Sequence, residues 1–155
     1  MKINTLLNEP SLSHRFRATF FIKHMPSPLD FRFQRISGLS RQMSMTTLRE
    51  GGDNTGSIHL PDQVTHGTLT LERGVIPATP VLAVFNHALS EFANIYMDVV
   101  VMLLNDKQQP LCSWTMTNAL PMRWQTSNLD ASSSVVLVDT LELAYHEMRW
   151  LGVRG

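Results

Sequence analysis

The strongest constraint in this chain is a two-residue hydrophobic period that keeps returning, set against a single stretch with the helical period. From His14 to His24, Phe16, Ala18, Phe20 and Ile22 fall on one face and Arg15, Arg17, Thr19, Phe21 and Lys23 on the other, the pattern of a half-buried strand. Pro26 and Pro28 predict its end, since neither has an N–H for a sheet ladder, and Leu29 to Ile36 resumes the alternation as the second arm of a first hairpin. Arg41 to Glu50 sets Met43, Met45 and Thr47 against Gln42, Ser44 and Thr46, and Thr68 to Arg73 puts Leu69 and Leu71 on one face. Tyr96 to Leu104 is a nearly continuous apolar run, as in a strand covered on both faces. Across the turn Asn105 to Pro110 comes a strand from Leu111 to Ala119, broken at Leu120-Pro121 and extended by Met122, Arg123 and Trp124. The last alternation, Ser134 to His146, aligns Val135, Leu137, Leu141, Leu143 and Tyr145.

The period changes once. Thr79 is a good N-cap, Pro80 suits the first helical position, and Val81, Val84, Phe85, Ala88, Leu89 and Phe92 follow at spacings of three and four. They predict one amphipathic helix over 80–94, closed by Asn94. Seven or eight short strands and one helix give a mainly β fold, an antiparallel β-sandwich or barrel with one flanking helix, in a single domain spanning 1–155. Residues 1–13 carry turn chemistry and little pattern, and are expected to form an N-terminal arm.

Between a strand ending at Glu50 and the alternation that returns at Thr68, the pattern lapses. Gly51, Gly52 and Gly56 give the backbone unusual freedom, and 51–67 predicts an oversized hairpin loop of about 17 residues, longer than a compact domain needs. Ile58, Leu60 and Val64 inside it require a surface to pack on. The segment is therefore expected to be an arm that docks on another subunit. Glu50 and Arg73 bracket it, as a charge pair fixing its base or as surface charges. Trp124, after the proline break, is either core filling or a mark of where one subunit rests on the next.

Thirteen Lys and Arg against thirteen Asp and Glu leave no net charge to attract nucleic acid or anionic lipid. The single Cys112 rules out an internal disulfide and fits folding in a reducing cytoplasm. The beginning of the chain lacks an apolar signal region, and no run reaches the roughly 18 apolar residues of a membrane span. Chemistry is equally sparse. The six histidines form no metal-ligand spacing. Ser132, Ser133 and Ser134 sit in no nucleophile elbow with Asp139 or His146. The glycines at 51–56 are not followed by the Lys of a phosphate loop. No enzyme, cofactor or metal is expected, and Cys112 reads as a small buried hydrophobe.

In order along the chain, Arg49-Glu50-Gly51-Gly52-Asp53-Asn54, Leu60-Pro61, Leu69-Thr70-Leu71-Glu72-Arg73-Gly74, Asn118-Ala119-Leu120-Pro121 with Arg123-Trp124, and Leu141 to Glu147 resemble the tail-tube family of contractile phage tails and phage-tail-like injection systems. The resemblance implies a subunit of a hexameric ring, with rings stacking into a hollow tube inside a sheath. It implies an interface through Arg49, Glu50, Gly51, Gly52, Asp53, Asn54, Leu60, Pro61, Arg73, Asn118, Pro121 and Trp124. The implied partners are further copies of the chain, another tube paralogue or baseplate hub proteins, the sheath, and protein or DNA cargo in the lumen, with no membrane insertion of its own. Synthesis in a bacterial cytoplasm and assembly into a phage tail or released particle follow. Asp62 after Leu60-Pro61, a long lead-in and an interrupted first hairpin leave both a major tube subunit and a tube initiator open. A small β-barrel binding an apolar ligand inside is the alternative from another class.

Overall fold

The period-2 runs become ten antiparallel strands among the residues that the computed structural model describes, which are 15–28, 30, 32–49, 51–52, 56–76 and 78–152. In chain order they are β1 (Phe16–Ile22), β2 (Met25–Pro26), β3 (Arg35–Ser37), β4 (Arg41–Leu48), β5 (Ile58–His66), β6 (Leu69–Gly74), the helix α1 (Pro80–Glu91), β7 (Met97–Leu104), β8 (Pro110–Thr126), β9 (Val138–Ala144) and β10 (Glu147–Gly152). The expected arm at 1–13 lies outside the described residues.

Eight strands form one sheet in the order β2-β1-β7-β8-β9-β6-β3, with β10 also paired to β8, while β4 and β5 form a separate two-stranded ribbon. The sheet's inward residues and one stripe of α1 meet in a single core. Ala18 and Phe20 of β1, Val99 and Val101 of β7, Leu69 and Leu71 of β6, Leu141 and Leu143 of β9, and Val81, Leu82 and Phe85 of α1 are all buried in it. With those side chains filling it, the interior offers no support for a ligand-binding barrel.

The first hairpin is tighter than expected. Lys23 and His24, with φ of 51° and 65°, make a two-residue turn with both central residues left-handed, the twist that suits a hairpin. It returns β1 onto β2, so Phe21 faces Pro26, and β3 instead pairs with β6. Pro26 is tolerated because β2 ends the strand order, where no ladder partner needs its missing N–H. Leu120-Pro121 does not break β8 either. Asn118 takes φ 51° and gives its N–H to Asp98 Oδ1 at 3.1 Å. Around this bulge the 17-residue strand changes partners, from β7 and β10 on Cys112 to Ala119 to β9 on Leu120 to Thr126. Val135 and Val136 are exposed loop residues rather than strand, and β10 is an element that the alternation reading missed.

The helix begins where expected and stops early. Thr79 Oγ1 accepts the N–H of Leu82 at 3.2 Å with Pro80 in the first turn. Its C-cap is Phe92, left-handed at φ 55° and 91% exposed, so Phe92 leaves the apolar stripe and Asn94 does not close the helix.

Arg73 does not bracket a loop. It shares the inward parity of Leu69 and Leu71, and its guanidinium is buried against Asp30, with Nη1 donating to Oδ1 at 2.6 Å and Nη2 to Thr79 Oγ1 at 3.2 Å. Asp30 Oδ2 accepts from Ser27 Oγ at 2.6 Å and from the Val81 N–H at 3.2 Å. The Arg73 guanidinium also lies 5.1 Å from the Phe33 ring centre, a cation–π placement. Glu50, the expected partner, lies outside the described residues. Asp30→Asn removes one charge of a buried pair and leaves the other uncompensated, so urea unfolding should show a loss of about 3–5 kcal/mol. Thr79→Ala removes both the cap and the acceptor of Arg73 Nη2, so it should lose about 2–3 kcal/mol, more than a cap alone.

Candidate subunit interface

The segment expected to be a loop at 51–67 is mostly strand. β5 pairs along β4 from Arg41 opposite His66 to Leu48 opposite Ile58, leaving a short tip in which Gly52 takes φ 109°. The polar, proline-containing sequence HLPDQ hides this strand from an alternation test. The correction strengthens the arm: what projects is a two-stranded ribbon rather than an irregular loop. Both strands are exposed on both faces over nearly their whole length.

A bulge sets what each face carries. Met43 opposes Val64 but Met45 opposes Pro61, so β5 holds one extra residue there. Ser44 Oγ fills the gap, donating to the Gln63 carbonyl and accepting the Gln63 N–H, both at 3.1 Å. On an unbroken strand Ile58, Leu60 and Val64 would share a face. With the bulge, Met43, Met45, Pro61 and Val64 lie on one face near the root, and Leu48, Ile58 and Leu60 on the other near the tip. The six large apolar side chains among them are 42 to 56% exposed. A two-stranded ribbon alone is marginal in water, and exposed apolar patches of this kind mark interaction sites. Its outer edges also present unpaired backbone groups to a partner.

The structure brings Arg49, Gly51, Gly52, Leu60 and Pro61 together on this ribbon and its tip. Asp53 and Asn54, like Glu50, lie outside the described residues. Arg73 is committed inside the subunit and Pro121 is buried, so neither offers a surface, because both sit at inward positions of their strands. Asn118 is exposed at the bulge of β8. Trp124 opposes Leu141 of β9 and stays 38% exposed, beside Arg123, whose guanidinium is 3.7 Å from Glu142. Sequence reasoning missed further exposed apolar residues: Leu129 in the β8–β9 loop, Phe92 at the helix end, and Trp150 and Leu151 on β10.

Nothing catalytic gathers among the described residues, which include no group of three His, Cys, Asp or Glu able to hold a metal. Cys112 is half-buried, and burial pushes its thiol up, with a smaller opposing pull from Trp150, away from the thiolate a nucleophile needs. No helix of the described residues is long and apolar enough to cross a membrane.

Residues 13–149 match the family model of the T4-like virus tail tube protein gp19. No curated protein matches. Among solved structures, the chain is 47% identical to one in the six-fold-symmetrised anti-feeding prophage baseplate, covering 95% of this chain and 99% of that one, with a TM-score of 0.87. It is 22% identical to a chain of the extended sheath–tube complex of the PVC extracellular contractile injection system, covering 99% of each, with a TM-score of 0.81. It is 23% identical to a chain of the anti-feeding prophage tube-terminating cap, covering 94% and 93%, with a TM-score of 0.78.

If both ribbon faces are covered in the assembly, Leu60→Asp and Val64→Asp, which charge opposite faces, should each abolish self-association in sedimentation velocity. Both sites are exposed, so folding stability should move by only about 0.5 kcal/mol. Loss from one variant alone would leave the ribbon with a single working face.

Proposed function

The chain belongs to the T4-like virus tail tube protein family, and on that premise we propose that it forms the hexameric ring that begins the inner tube at the baseplate end of a contractile injection particle. The observation that carries this reading is a contrast within one particle. Identity is 47% to a chain of the anti-feeding prophage baseplate and 23% to a chain of its tube cap, over nearly the same length. A subunit that starts a tube meets unlike rings above and below, and Asp62 on the ribbon and Pro26 in the first hairpin are departures suited to that position.

In this role the chain performs no chemistry. Its ring closes around a lumen, further rings stack on it, and the sheath surrounds the tube and supplies the energy that drives it through a target envelope. Protein or DNA passes through the lumen. The partners are further copies of the chain, a tube paralogue, baseplate hub proteins and the sheath. The particle is a phage tail or one released from the cell.

The test is cryo-electron microscopy of particles assembled from the chain and the products of its neighbouring genes. One ring of this chain next to the baseplate, with a paralogue filling the tube, is the expected result. Finding it in every tube layer would make it the major tube subunit instead.

A further inference from the structure

From the packing at the ribbon's root, we infer that Tyr145 is the positioning residue that fixes the direction in which the β4–β5 ribbon leaves the body. This rests on reading the ribbon as an assembly arm.

Both strands of the ribbon emerge through one narrow passage. Gly38 and Ser40 lead into β4, and Gly67 and Thr68 lead out of β5. Two glycines at the base of an arm suggest a hinge, but their surroundings are full. A Cβ on Gly38 would stand 1.7 Å from the Thr68 carbonyl oxygen, and one on Gly67 would stand 2.3 Å from Ser40 Oγ and 2.9 Å from the Gly38 oxygen. These glycines permit close backbone approach rather than motion. The Gly67 N–H donates to the Ser40 carbonyl at 3.1 Å and ties the two strands together.

Tyr145, directly after β9, reaches this crossing from the body. Its hydroxyl lies 2.9 Å from the Gly38 carbonyl oxygen and 3.1 Å from that of Ser40, more than a hundred residues away in sequence, and it donates between them. Its ring meets the His66 ring at a centroid distance of 5.2 Å, so both strands of the ribbon touch one side chain. Arg41 Nη1 adds an outer tether to the Met148 carbonyl at 3.4 Å. Burial raises the phenol above its ordinary value, with backbone hydrogen bonds and Arg41 opposing, so the hydroxyl stays protonated and able to donate at neutral pH.

A lock at the root matters because the arm is long. Nine residues of strand extend about 30 Å, so a swing of about 10° at the base moves the tip by roughly 5 Å. Subunit contacts made by preorganised surfaces tolerate only about 1 Å.

Tyr145→Phe keeps the ring and removes only the hydroxyl. Spin labels at Gly51→Cys on the tip, where an added side chain meets nothing within 4 Å, and Ser90→Cys on the helix, in a Cys112→Ser background, report the ribbon's direction when labelled chain is diluted in excess unlabelled chain. The expected result is a distance distribution at least about twofold broader, self-association weakened about tenfold, and an unchanged far-ultraviolet spectrum and nearly unchanged melting temperature. Arg41→Met, which removes the outer tether from a side chain on the exposed ribbon, should broaden the distribution less and serves as the readout if Tyr145→Phe fails to fold. An unchanged width in the folded variant overturns the inference, whatever happens to association. A broadened distribution with unchanged association upholds the lock and overturns the ribbon's role in assembly.

Discussion

The buried Asp30–Arg73 pair is the polar tie at the point where the connection after β2, the end of β6 and the start of α1 meet. The strand order puts β2 at one end of the sheet and β3 at the other, and Asp30 and Phe33 of the connection between them are buried in the interior. Asp30 lies in that connection and Arg73 near the end of β6, while Thr79 and Val81 open α1, and the four are linked by hydrogen bonds. Phe33, three residues on, touches Phe20 of β1 at a ring distance of 5.9 Å and lies under the Arg73 guanidinium. Two charges in a dry interior are favourable only when their remaining polar atoms are also satisfied. Asp30 meets that demand by taking Ser27 on one side and the helix N-terminus on the other, where the backbone dipole favours a carboxylate, whereas Arg73 satisfies Nη1 and Nη2 and leaves Nε buried without a hydrogen bond.

That clamp keeps folding separate from assembly. The core inside the curled sheet is complete without the ribbon, none of whose residues belongs to the buried cluster. The ribbon in turn has no core of its own, and its ordering has to be offset by whatever covers it. A subunit built this way folds first and associates second, and substitutions sort into those that act on one step or the other.

The sequence showed the core well and the arm poorly, for physical reasons that specific residues make plain. Period 2 found the buried faces of β1, β6 and β9, because fully buried positions there alternate with ones that are mostly half-buried. Thr79-Pro80 placed the helix start because cap and proline chemistry are local. Arg73 was misread although it stands two residues beyond Leu71 on the same face. Charge suggested solvent, and its neutralising partner lies 43 residues away in the weakly patterned stretch around Pro28 and Asp30. β5 escaped because alternation reports a strand with one dry face, and a ribbon that meets its partners only in the assembly has none. Phe92 fitted the helical spacing but fell one residue past the last turn, where the backbone turns left-handed and carries the ring into solvent. The tube-family resemblance was legible because it depends on ordered motifs rather than on knowing where each side chain points.

The same ribbon explains why association should lead to rings. A two-fold dimer buries one patch against its own copy, whereas a projecting ribbon whose apolar residues change faces at Ser44 and Gln63 calls for receiving surfaces unlike itself. Such head-to-tail contacts close into a ring when the rotation per subunit divides a full turn, and continue as an open filament when it does not. Because small changes of direction at the root accumulate around the circle, closure requires an arm that is aimed rather than flexible. The crowded glycines at 38 and 67 and the Tyr145 hydroxyl between the two strands supply that stiffness at the one point where the ribbon joins the body.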